Sequence, residues 1–316
     1  MPETAPHPHP LISVVLPAHD EEAALPGLIE EVLAALSGHA VEVIVVDDGS
    51  ADGTWDAVRR LHALHPEVRG LRLSRNFGHQ AAILAGLAAA RGDAVVMMDS
   101  DGQHPAALLP MLVERWREGA SVVQAVRTET DGEGAFKRLT SRWFYALLST
   151  LAGVRIPPGS ADFRLLSRPA LEEVLAGAGP MPFLRGLIPW LGLPTAAVPF
   201  RAARRAAGRS SYSLRRMVRL SLDGILGFSV VPLRLAIALG IFVSGLSFLY
   251  LAYVVGIRLF SGRAVAGWAS MAGLLSLLGG MQLFTLGVLG EYLGRLFLAS
   301  SNRPRFVIRE RVGPEP

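Results

Sequence analysis

The sequence predicts an α/β fold with a mostly parallel sheet, followed by two transmembrane helices. Three observations predict it. Between Leu11 and Arg127, β-branched apolar runs alternate with helical patterns. Several of those runs stop at paired carboxylates. Two long stretches near the carboxyl end carry no charge.

The elements follow in order. LISVVLPA (Leu11 to Ala18) reads as a buried strand and EEAALPGLIEEVLAAL as the helix after it. VEVIVVDDGS (Val41 to Ser50) repeats the design, an apolar strand ending in acids and glycine. DGTWDAVRRLHALH is helical, with Asp52 placed to cap it. GLRLS is a short strand, and NFGHQAAILAGLAAARG a helix of small residues. AVVMM is a strand that stops at Asp99, PAALLPMLVERWREG a helix, and SVVQAVR another strand. The opening MPETAPHPHP is polar and proline-rich, with no basic start or apolar segment of a signal peptide, and reads as a disordered tail.

Leu235 to Ile257 and Trp268 to Gly290 are the uncharged stretches. At about 1.5 Å per residue each reaches about 35 Å, enough to cross a bilayer core. Arginines crowd both flanks: Arg204, Arg205, Arg209, Arg215, Arg216 and Arg219 before the first span; Arg295, Arg303, Arg305, Arg309 and Arg311 after the second. The connecting loop holds only Arg258 and Arg263. The positive-inside rule places both ends in the cytoplasm and the connecting loop outside. Glycines in the second span (Gly273, Gly279, Gly280, Gly287) permit close packing, within one chain or between protomers of a homo-oligomer.

Composition narrows the chemistry. The chain has 316 residues, a net charge of +4 and no cysteine, so thiolate metal sites and cysteine nucleophiles are excluded. Lys137 is the sole lysine; the other cations are arginines, whose planar fork suits phosphate. The arginine-rich segment adjoins the spans, which argues for lipid rather than nucleic acid. Neither GxGxxG nor GxxxxGK[ST] is present.

Ligands of open α/β sheets bind beyond the carboxyl ends of the strands. Asp20 and Glu21, Asp47 and Asp48, and Asp99 and Asp101 fall at three such ends. Together they make an anionic mouth that calls for a cation. Oxygen ligands without thiolates suit Mg²⁺ or Mn²⁺.

The order VVLPAHDEE, VVDDGSADGT, SRNFGHQAAILAGL, MDSDGQHP, SADFRLLSR and RAAGRSSY, then two terminal spans, resembles the polyprenyl-phosphate glycosyltransferases. These are membrane-attached GT-A-fold enzymes of glycosyltransferase family 2, including dolichyl-phosphate mannose synthase and the bacterial GtrB-type undecaprenyl-phosphate glucosyltransferases, to which the two-span tail is most similar. The resemblance implies a Rossmann-like GT-A domain. It also implies metal-dependent, inverting transfer of a monosaccharide, glucose by likeness, from a UDP-sugar to undecaprenyl phosphate. It assigns Pro17, His19, Glu21, Val46 and Asp48 to the nucleotide base and ribose. Asp99, Ser100 and Asp101 match the DxD segment, with Gln103 joining the aspartates at the metal. Arg127, Arg205, Ser210 and Tyr212 match the lipid-phosphate site. Asp162 matches the acid proposed as catalytic base; it positions the acceptor or an arginine if the phosphate arrives ionised.

The chain departs from the family at His19 and Asp20, where an aromatic residue and asparagine are usual. Thr130 and Ser211 replace an arginine and a lysine. The implied organisation is a tail (1–10), a GT-A domain (11–211), a juxtamembrane amphipathic helix (212–230), a two-helix hairpin (231–292) and a basic cytoplasmic tail (293–316). Residues 139–153 form a second amphipathic pattern, read as membrane-surface or core-facing. Two other readings are a processive family 2 polysaccharide synthase and a non-catalytic membrane adaptor. FLRGLIPWLG lacks the QxxRW motif of the first, and retention of Asp99 and Asp101 counts against the second.

Overall fold

The computed structural model describes residues 10–102, 104–127, 160–179, 183–200, 229–261, 267–301 and 303–314. The chain divides into two compact units. One holds the α/β sheet and includes residues 303–316; the other covers 220–302.

In the first unit, β1 (Leu11–Ala18), β2 (Ala40–Asp47), β3 (Val68–Leu73) and β4 (Ala94–Met97) are parallel. Helices α1 (Leu25–Ala35), α2 (Thr54–Leu64) and α3 (His79–Ala89) connect them. A 3-10 turn (Ala106–Leu108) and α4 (Leu109–Arg117) lead to β5 (Val122–Arg127). Then follow β6 (Ser160–Ser167), α5 (Arg168–Gly177), α6 (Leu184–Trp190) and β7 (Thr195–Phe200). The last strand, β8 (Ile308–Val312), lies beyond the membrane-length helices in sequence. The sheet order is β7-β5-β6-β4-β1-β2-β3-β8, with β6 and β8 antiparallel to their neighbours.

β1 is central because its apolar residues have both faces to fill. Ile12, Val14, Val15 and Leu16 are fully buried. Each such side chain contributes about 1.5–3 kcal/mol of burial. α3 packs closely on this strand. A Cβ on Gly86 would stand 2.3 Å from Val15 Cγ1, so only glycine lets the helix approach. The small residues of AAILAGLAAA are therefore a packing feature, and the helix is buried on most of its surface.

The chain builds β1, β2 and β3 outward, then returns to lay β4 on the other side of β1. That reversal opens a crevice between the carboxyl ends of β1 and β4, the usual ligand position in such sheets. The acids of MDSDG emerge there.

In the second unit, α7 (Val231–Ser261) and α8 (Trp268–Ser300) are in mutual contact. Val231–Ile257 and Gly273–Ser300 are long and apolar enough to cross a membrane. Both helices outrun their uncharged stretches. α7 begins before Arg234, and α8 continues through Glu291 and Arg295, which pair at 3.0 Å one turn apart.

The carboxyl segment differs from a simple basic tail. α8 runs to Ser300, and 308–312 pair with β3 at the sheet edge. IRERV alternates charge with apolar residues, so composition reads as tail where backbone pairing makes a strand. The amphipathic patterns at 139–153 and 212–228 lie outside the described residues.

Candidate active site

The β1 and β2 ends are stitched together by side chains. Asp48 N–H donates to Ala18 O at 2.9 Å. Asp20 takes up the left-handed conformation (φ 57°) that aspartate tolerates. Its N–H donates to Ser50 Oγ (3.0 Å) and its Oδ1 accepts from Ala51 N–H (2.9 Å). Glu21 N–H donates to Thr54 Oγ1 at 2.9 Å. Asp52 accepts from Thr54 N–H and Oγ1, bracing the turn one residue before the helix cap at Gly53 rather than being that cap.

Asp48 holds the loop after β3. Its Oδ1 accepts from Phe77 N–H (2.7 Å) and its Oδ2 from Gly78 N–H (2.9 Å). Gly49 lies at φ 68°, where a Cβ would meet the Arg75 backbone at 2.5 Å; the turn requires glycine. His19, half-exposed, reaches the same loop through Asn76 at 3.2 Å. Pro17 and Val46 are register partners in the floor beneath.

Ser100 pins the crevice. It is buried, and its Oγ donates to Pro17 O at 2.7 Å, fixing the β4 end to the β1 end. Asp99 and Asp101, on either side, are thereby set at the mouth. His104 adds a second restraint. Its Nδ1 accepts from Asp99 N–H at 3.0 Å, which assigns the neutral, Nε2-protonated ring. Burial lowers its pKa in the same sense, and it stacks on Phe163 at 5.0 Å between centroids.

The acids do converge. The Glu21 carboxyl is pushed up by burial and by repulsion from Asp101, Asp52 and Asp20, all at the same sheet edge.

Asp162, on β6, is 2% exposed. Arg185 Nε lies 2.8 Å from its Oδ1; Gln80 Nε2 donates to Oδ2 at 3.3 Å, and His79 Nε2 is 3.5 Å from it. The same His79 nitrogen is 3.2 Å from Asp99 Oδ1, so one imidazole bridges the two acids. Burial alone would raise the Asp162 pKa. His79 and Arg185 outweigh it and hold the carboxyl well below the ordinary range. His79 is in turn pushed up to about 10: its burial is overcome by bonds to Asp162 and Asp99. A carboxylate held this way is a weak base. Beside it Arg164, 1% exposed, has its pKa lowered to about 10 by burial.

The sequence profile of glycosyl transferase family 2 matches residues 13–175. The uncharacterized glycosyltransferase YkcC of Bacillus subtilis (strain 168) is 38% identical over 309 residues, covering 97% of this chain and 96% of its own. The chain belongs to glycosyl transferase family 2. The SfII prophage-derived bactoprenol glucosyl transferase of Shigella flexneri is 38% identical over 301 residues, 95% of this chain and 97% of that one. Glucosyl-3-phosphoglycerate synthase from Mycobacterium tuberculosis, solved with Mn²⁺, uridine diphosphate and phosphoglyceric acid, matches with a TM-score of 0.50. It is 25% identical and covers 69% of this chain and 76% of that one. This family 2 member is therefore a transferase with a GT-A-like sheet.

Of the residues read from sequence, Pro17, His19, Glu21, Val46, Asp48, Asp99, Ser100 and Asp101 are gathered around the carboxyl ends of β1, β2 and β4, and Asp162 joins them from the amino end of the antiparallel β6. Arg127 ends β5 and is exposed. Gln103, Arg205, Ser210 and Tyr212 lie outside the described residues.

Four residues of this family 2 site carry no assignment from sequence: His79, Gln80, His104 and Arg185. His79 and Gln80 stand in the quoted NFGHQ motif and His104 in DGQHP. The partners of His79, Gln80 and Arg185 are distant in the chain, so no spacing rule connects them; His104 bonds Asp99 five residues earlier in the same motif.

The donor set fits a divalent cation. Asp99 Oδ1 is buried with the His79 imidazole 3.2 Å away as its ion-pair partner, and no well-aligned hydrogen bond among the described residues fills its remaining lone pair. Among those residues no three acids or histidines form a ready cage. A hard cation held by one or two carboxylates and a substrate's phosphates needs none.

Proposed function

We propose that this transferase moves glucose from UDP-glucose to a polyprenyl phosphate, undecaprenyl phosphate in a bacterial inner membrane, with inversion at the sugar carbon. The observation that carries the reading is the crevice pinned by Ser100, which sets Asp99 and Asp101 together at the sheet edge, in a chain that also has two membrane-length helices. The likeness to a bactoprenol glucosyl transferase and to a Mn²⁺–uridine diphosphate complex supports the acceptor, sugar and base.

Asp99 and Asp101, with Gln103, would hold Mg²⁺ or Mn²⁺, which when bound neutralises the diphosphate as it leaves. The protein's own residues do the rest. His104 and Ser100 fix the backbone that presents those carboxylates. Pro17, His19, Glu21, Val46 and Asp48 line the nucleoside side.

Asp162 need not remove a proton. A phosphate monoester has a second pKa near 6 and is largely dianionic at pH 7. One of its oxygens attacks the anomeric carbon, the bond to the diphosphate breaks, and UDP departs with the electron pair. Asp162 fixes the Arg185 guanidinium and His79 beside the crevice. Arg127, Arg205, Ser210 and Tyr212 complete the acceptor side. The helices are read as spanning the membrane with both termini cytoplasmic.

The test is transfer of labelled sugar to undecaprenyl phosphate in detergent, using UDP- and GDP-sugars with either cation. A solvent-extractable product from UDP-glucose, lost on adding EDTA, supports the reading. A folded protein that makes no product from any donor refutes it.

A further inference from the structure

The last strand places a carboxylate where it reaches the nucleotide side of the site. Asp47, Arg72 and Glu310 occupy one register row across β2, β3 and β8. Arg72 Nε lies 3.3 Å from Asp47 Oδ2, and Arg72 Nη1 donates to Glu310 Oε1 at 3.1 Å. Glu310 Oε2 also accepts from Trp55 Nε1 (3.0 Å) and Arg59 Nη2 (2.6 Å). Just before the strand, Ser74 N–H donates to Val307 O at 2.8 Å, so β8 begins at the active edge of β3.

Asp47 is fully buried. A carboxylate there is tolerable only with a counter-charge. Its Oδ1 accepts from Ser50 N–H at 2.9 Å, and Ser50 Oγ accepts from Asp20 N–H. Its Oδ2 has no hydrogen bond among the described residues and depends on the Arg72 charge. Asp47 is thus the root of the turn that carries Asp48 and orders Asp20. Arg72 is a quarter exposed and reaches Asp47 by one contact. Glu310 supplies the second anchor that keeps its fork from turning to water.

We propose that Glu310, on the strand that follows the membrane-length helices, is a positioning residue for the nucleoside diphosphate donor, acting through Arg72 on the Asp47–Ser50–Asp20 turn. The proposal rests on the donor reading above. It gives the returning strand a role: a chain cut after the second helix keeps its acids but not the row that sets the nucleotide turn.

The experiment uses the full chain in detergent. Wild type, Glu310→Gln, Arg72→Met and the double variant are compared by calorimetric UDP binding with Mn²⁺, by KM and kcat for UDP-glucose, and by thermal melting. Glu310→Gln is expected to weaken UDP binding and raise KM by about fivefold or more while kcat stays within about twofold. It is expected to add nothing further in the Arg72→Met background. Arg72→Lys, which keeps the charge but loses the fork, reads the same link should Glu310→Gln fail to fold, and is expected to weaken UDP to a similar degree. Unchanged UDP affinity, a lowered melting temperature without loss of affinity, or additive effects overturn the proposal. A wild type that binds no UDP overturns the donor reading and this proposal together.

Discussion

At the scale of single residues, Asp162 is the clearest case of a side chain whose surroundings decide its role. Its position suits a catalytic base, but a carboxylate paired with Arg185 at 2.8 Å and near His79 holds its charge too firmly to take a proton at neutral pH. If it orients Arg185, the two act as a unit. Asp162→Asn and Arg185→Gln should each lower kcat by about a hundredfold, and the double variant should be no worse than the poorer single one. Multiplying effects would mean separate roles. Glu42, near the amino end of β2 and away from the site, gives a pH prediction. It is 3% exposed, and burial alone would raise its pKa; Ser13, the Arg91 N–H and Arg69 outweigh that and lower it. A depressed carboxylate stabilises the fold above its unfolded pKa, about 4.3, and loses that contribution as pH falls through its lower folded value. Melting temperature measured downward from pH 6 should therefore fall more steeply for wild type than for Glu42→Gln. The variant should start lower, since removing one partner of a buried pair costs about 3–5 kcal/mol.

At the scale of elements, α3 against β1 is the contact with least slack. Gly86→Ala gains about 1 kcal/mol of helix propensity but drives a Cβ to 2.3 Å from Val15 Cγ1. Overpacking of this kind costs about 1–3 kcal/mol, so the melting temperature should fall despite the better helix former. Elements of this first half are legible in sequence because their signals are local. β1 matches LISVVLPA, and β2 to β5 differ from their apolar runs by a residue or two at the ends. The acids at strand ends are legible for the same reason. What sequence does not show is pairing across distance. Gln80 meets Asp162, and Trp55 meets Glu310, with no period linking them. ADFRLL marks Asp162 as a motif residue but not that its strand runs antiparallel between β4 and β5. IRERV carries too little apolar signal to announce a strand, and FLRGLI announces no partner for Arg185.

At the scale of the whole molecule, the charge pattern makes a topological prediction that the chain's composition renders easy to test. It has no cysteine, so one introduced thiol is a unique label. In intact cells a membrane-impermeant maleimide should label Gly262→Cys, between the helices, and should reach Pro314→Cys only after permeabilisation. The reverse pattern would invert the orientation. The central claim is that the acids at the crevice between β1 and β4 hold a divalent cation for a nucleoside diphosphate. Its most direct measurement is calorimetric binding of UDP to wild type and Asp101→Asn, each with and without Mn²⁺. The account predicts that Mn²⁺ tightens UDP binding by about tenfold or more in wild type and that this gain disappears in Asp101→Asn. An equal gain in both proteins, or none in wild type, would contradict it.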